Sequence, residues 1–248
     1  MIIYLFIICL IIVSFIYFNG SLQSTENFQS DEFKNSIQLN ELKYGYFDQT
    51  DHNFLQSHQI KLFPLPLPLQ EIKQPSTNLS QETIKEIQFL LEMASKVTDK
   101  QRTSIAKYEK DVLTEFIDYC KTNNLYYDNK YLEQVKDDIK ALAYQLKSIY
   151  NRPRPYQLAF YMGKNLIPQQ INASSYPSYP SYRTLLAKTL ANVISYNNPT
   201  HSSDLHTIAK EVELSRLLGG YNYPSDTKVS LEIAAIIKKY IKYFEIKK

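Results

Sequence analysis

Tryptophan is absent, glycine occurs only five times, cysteine twice and histidine four times in 248 residues. Cys9 lies in the first apolar run and Cys120 in a predicted helix. The rest of the chain therefore has one thiol and no partner for an internal disulfide. There is no CxxC pair and no Cys/His cluster, so the ligand spacing of a structural zinc site is missing and no cofactor is expected. Strong charge of either sign is also lacking. A formal net charge of +3 gives no argument for a nucleic-acid partner or for electrostatic capture by an anionic membrane. With 44% apolar and 21% charged residues, most of the chain has the composition of a globular domain.

Long apolar runs are missing too, with one exception. MIIYLFIICLIIVSFIYF, residues 1–18, contains no charge. As a helix it would span roughly 27 Å, close to the ~30 Å hydrocarbon core of a bilayer. The flank NGSLQST offers no small-residue cleavage site and no basic residue precedes the run. The expectation is an uncleaved single-pass membrane anchor, with a cleaved signal segment and secretion as the alternative. Lys34 is the first basic residue after the run, so charge gives no orientation. Sequons at Asn78 and Asn172 would permit glycosylation in a lumenal or extracellular domain.

Residues 19–79 read as a linker. It is polar and aperiodic at first, then carries the Pro/Leu alternation LFPLPLPLQ, residues 62–70, an extended strap whose leucines can pack along a domain. Helical periodicity begins near residue 80. Ile84, Ile87, Leu90 and Leu91 share one face. Further helices are expected over 101–122, over 130–150, after Pro180, from Ser203 to the Gly219-Gly220 stop, and over 226–244. No alternating strand pattern is visible. The fold class is therefore all-α, a bundle of five to six helices over residues 80–248 behind an N-terminal anchor.

Charge interrupts the apolar stripes at particular places. Leu205, Ile208, Ala209 and Val212 lead to Ser215 and Arg216. Ile139 and Ala143 lead to Lys147, which is followed by NRPRPY with Arg152 and Arg154. A guanidinium or ammonium that continues a core face is costly unless it is paired. SYPSYPSYRTLL puts Ser181 and Tyr182 at a helix start, where backbone N–H groups and the helix dipole favour an anion. Lys147 with Arg154, the 180–184 turn and Arg216 thus give three anion-binding elements that a bundle can unite in one oxyanion pocket.

These residues resemble a known superfamily, the type 2 phosphatidic acid phosphatases, bacterial class A acid phosphatases and vanadium haloperoxidases. Lys147, six residues, then Arg154-Pro155 looks like its first motif. Pro180-Ser181-Tyr182-Arg183 stands where the second reads Pro-Ser-Gly-His. Ser215-Arg216, five residues, Asn222, three residues and Asp226 keep the spacing of the third, with Asn222 where that motif has His. The resemblance covers roughly residues 80–245 and implies an all-α fold. It also implies that Lys147, Arg154 and Arg216 bind phosphoryl oxygens and that Ser181 and Tyr182 add donors.

The resemblance breaks at both histidines. Where the family has its nucleophile stands Asn222, whose amide nitrogen is not nucleophilic but can donate a hydrogen bond. Where it has its general acid stands Arg183, which holds its proton at neutral pH yet adds positive charge. Asp226 is retained. Tyr182 replaces the small Gly. The other histidines, His52, His58, His201 and His206, fall outside the motifs; His206 lies ten residues before Arg216, about 15 Å along one helix. Three readings follow. The first is a pseudoenzyme that binds phosphate or a phosphorylated small molecule or lipid head group. The second is a phosphoric ester hydrolase of altered mechanism, with water activated by Asp226. The third is a membrane-tethered scaffold with Arg216 paired to Asp226.

Overall fold

The computed structural model describes residues 38–45, 49–63, 67, 69, 72–169 and 176–240. The apolar run 1–18 expected to anchor the chain lies outside the described residues, as does the sequon at Asn172. Among the described residues no helix is long and apolar enough to cross a membrane. The chain divides into two units, residues 1–41 and 42–248. In the first, residues 38–41 form a helical turn.

The second unit is all-α, with no strand among the described residues. Its helices are α1 (Gln49–Ser57), α2 (Gln81–Ser95), α3 (Asp99–Lys110), α4 (Val112–Thr122), α5 (Asn129–Tyr150), α6 (Pro155–Tyr161), α7 (Tyr182–Asn197), α8 (Ser202–Leu218) and α9 (Pro224–Lys238). Nine described helices replace the five to six expected, for three local reasons. Asp111 is extended (φ −161°, ψ 118°) and its carboxylate caps Leu113 N at 3.0 Å, so the helix expected over 101–122 is two. Pro155 occupies the first turn of α6, where its missing N–H costs nothing, so the RPRP segment leads into a helix. The third reason is α1, which forms within the stretch read as linker.

That stretch also contributes to the core. Leu62, Phe63 and Leu67 are buried in the main cluster. Buried Asp138 on α5 pins their approach. Its carboxylate accepts from Lys61 N at 2.9 Å, Leu62 N at 2.7 Å and Gln134 Nε2 at 2.6 Å, and lies 2.7 Å from His58 Nε2. Asn78 is buried and donates to Leu42 O at 2.9 Å, which closes that sequon to glycosylation in the folded chain.

The central element is α7. Leu185, Leu186, Ala187, Leu190, Ala191, Val193 and Ile194 are all buried, so it is apolar on nearly every side. Around it pack α4, α5, α8 and α9. On α5, Leu132, Val135, Ile139, Leu142 and Ala143 face the core and Lys147 continues their stripe, while Ile149 points outward. Each buried Leu or Ile contributes about 1.5–3 kcal/mol. The ends of α5 and α8 and the starts of α6, α7 and α9 carry the charged residues singled out in the sequence.

Candidate functional site

Backbone contacts tie the three motif segments together. Ser178 N donates to Arg152 O at 3.0 Å, and Ser181 N to Asp226 O at 3.3 Å. Tyr221 N and Asn222 N both return to Arg216 O, at 3.0 and 3.3 Å, which folds the segment after α8 back over its last turn. A Cβ on Gly219 would lie 2.2 Å from the Tyr221 ring, so glycine lets that ring pack there. The ring in turn lies 4.3 Å below the Arg216 guanidinium.

Lys147 is 2% exposed, and its Nζ donates to Pro177 O at 2.5 Å and Ser178 O at 3.3 Å. Burial, and then the positive charges of Arg154, Arg216 and Arg183, hold its pKa well below the ordinary lysine value. Arg154 is equally enclosed. It donates to Tyr176 O and Tyr221 O, each at 2.7 Å, and burial lowers its pKa. Ser181 Oγ lies 2.9 Å from Thr184 Oγ1 and 3.4 Å from Asn222 Oδ1. As N-cap of α7, Ser181 makes no side-chain cap bond to the helix's first N–H groups. The Tyr182 ring packs edge-on against Tyr144 of α5, and burial raises its pKa.

Asn222 is fully engaged. Its Nδ2 donates to Ser178 O at 2.7 Å and to Asp226 Oδ2 at 3.2 Å. Asp226 has no exposed surface. Oδ1 accepts from Arg152 Nη1 at 2.6 Å, and Oδ2 from Asn222 and from Tyr223 N at 2.9 Å. The last bond caps α9.

Two ion clusters complete the site, and the sequence reading missed a carboxylate in each. In the first, Arg152 links Asp226 to Glu86 of α2, the latter at 3.2 Å, and stacks 3.8 Å over the Tyr223 ring. Burial opposes the charge of Arg152, but Asp226, Tyr223 and Glu86 outweigh it and raise its pKa. Glu86 is itself pushed up by burial, in part offset by Arg152. In the second, Glu109 of α3 pairs with both Arg183, at 2.8 Å, and Arg216. Burial and the neighbouring Arg183 bring the Arg216 pKa down to about 10.

The expectation for a scaffold, Arg216 paired with Asp226, is not met; each has a different partner. Three histidines, His58, His201 and His206, have partners outside these clusters. His201 meets Tyr119, His206 meets Lys188, and His58 meets Asp138. Among the described residues no group of three His, Cys, Asp or Glu gathers to hold a metal ion.

No family model matches the chain, and no curated protein matches its sequence. Among solved structures it is similar to a transmembrane PAP2-type phosphatidylglycerolphosphate phosphatase from Bacillus subtilis. The two are 16% identical with a TM-score of 0.46, over 65% of this chain and 85% of that one.

Proposed function

We propose that this chain is a membrane-tethered, phosphatase-like helical domain that binds phosphate or a phosphorylated head group and does not turn it over. One observation carries the reading. Five cationic side chains, Lys147, Arg152, Arg154, Arg183 and Arg216, lie in one neighbourhood with three carboxylates, Glu86, Glu109 and Asp226; Arg152, Arg183 and Arg216 pair with these, and Lys147 and Arg154 donate to backbone carbonyls. The Lys147 pKa is lowered first by burial and then by this local excess of positive charge. An added oxyanion offsets it, and arginine forks suit phosphate oxygens. Ser181 and Asn222 supply polar groups at the same place, while the Tyr182 ring packs on Tyr144.

The chemistry is what the site lacks. Asn222 spends both amide hydrogens on Ser178 O and Asp226. Asp226 is enclosed by three donors and has no surface on which to activate a water, which counts against the altered hydrolytic route. The scaffold reading keeps one argument: each of these cations already has an internal partner.

The test is hydrolysis of an aryl phosphate by the full-length chain, compared with Arg183→His/Asn222→His and with Arg216→Ala. A histidine at 222 would stand beside Asp226, which could orient it. The wild type should be silent and the double variant should gain turnover of at least about tenfold over background. Wild-type turnover lost in Arg216→Ala would overturn the proposal.

A further inference from the structure

Glu109 comes from α3, outside the three motif segments. Oε1 lies 2.8 Å from Arg183 Nη2, which also donates to the Glu109 carbonyl at 2.8 Å. Oε2 takes Arg216 Nη1. One carboxylate thus spans the two guanidiniums that stand where the second and third motifs would grip a phosphoryl group. Each carboxylate oxygen takes one arginine N–H, the same kind of charge-assisted bond with which arginines hold phosphate oxygens.

We infer that Glu109 is an internal occupant of the oxyanion site, holding on Arg183 and Arg216 the place a phosphate takes, so that binding requires its withdrawal. The inference rests on the oxyanion-binding reading above and adds the regulation of that site.

The placement of Glu109 suits a removable group. It sits in the last turn of α3, two residues before extended Asp111. Asp111 caps α4 through Leu113 N and Thr114 Oγ1, so α4 holds its start independently of α3. Upstream, Ile105 is buried and Tyr108 Oη donates to Glu211 at 2.5 Å, which anchors the rest of α3. The Glu109 side chain keeps 10% exposure and that of Arg183 24%, while that of Arg216 keeps 2%. The carboxylate therefore has a way to solvent that leaves Arg216 in place. If the open form is about one molecule in ten, the occupant weakens phosphate binding about tenfold.

The experiment is calorimetric titration of inorganic phosphate into the full-length chain as wild type, Glu109→Gln, Arg216→Ala and Glu109→Gln/Arg216→Ala, with folding checked by circular dichroism. Glu109→Gln should bind at least about tenfold tighter than wild type, and Arg216→Ala should abolish the gain. Arg216-dependent binding by the wild type with no gain in Glu109→Gln would overturn the inference and leave the oxyanion site standing. Absence of binding in both, to phosphate and to the lipid vesicles titrated alongside, would overturn the two together. Should Glu109→Gln not fold, Glu109→Asp keeps the charge and shortens the reach. Tighter binding than wild type then supports the inference, and equal or weaker binding overturns it. Vesicles carrying a phosphomonoester lipid, titrated alongside, separate a head group from the free ion: a gain confined to vesicles supports the same occupancy against a lipid ligand.

Discussion

Asp226 and Arg152 show what a single residue holds in this domain. Asp226→Asn leaves buried Arg152 with Glu86 as its one paired carboxylate, and urea unfolding should record a loss of about 3 kcal/mol, the low end for a broken buried pair. Lys147 gives a pH signature. Its folded pKa lies below the ordinary value of 10.5. Between those two values the unfolded chain holds a proton that the folded chain does not, so this residue's contribution to stability improves as pH rises through the window. Lys147→Met should flatten that rise, read from urea midpoints at neutral and alkaline pH. At this scale the cations were legible, because Lys147 and Arg216 continue apolar stripes on which charge is expensive. The carboxylates carried the same mark. Glu109 lies four residues after Ile105, and Glu86 three after Thr83, each on a buried face. The stripe assigned to α2 ran through Ile84, Ile87, Leu90 and Leu91; Ile87 and Leu90 are buried, but Ile84 and Leu91 turn partly outward, and the buried face extends instead to Thr83 and Glu86. Which acid meets which base is set by packing between distant helices, such as α3 with α8, and local pattern does not encode it.

Elements end where their caps say, and this was read unevenly. The Gly219-Gly220 stop was visible because Gly220 takes φ +72°, a conformation that glycine adopts without strain. The closeness of Gly219 to Tyr221 was not, since it depends on the chain's return over α8. Gly219→Ala should push the Tyr221 ring off Arg216 and cost about 1–3 kcal/mol by overpacking, measurable in the same unfolding experiment. The break at Asp111 was missed because the apolar period runs on through Ile105, Val112 and Phe116, while a capping aspartate in mid-pattern looks like one more surface charge. α6 was missed because two prolines suggest extended chain, although a proline in the first turn starts a helix readily.

At the scale of the whole molecule, an all-α architecture followed from periodicity alone, and the bundle brings the ends of α5 and α8 and the starts of α6, α7 and α9 to one place. If residues 1–18 are the tether proposed, the full-length chain should float with membranes in a density gradient and a chain lacking those residues should not. The central claim is that this convergence still binds an oxyanion. Its most direct test is calorimetric titration of inorganic phosphate into the folded wild-type chain beside Arg216→Ala. The account predicts saturable binding with one site per chain that Arg216→Ala removes; no binding, or equal binding by both, would contradict it.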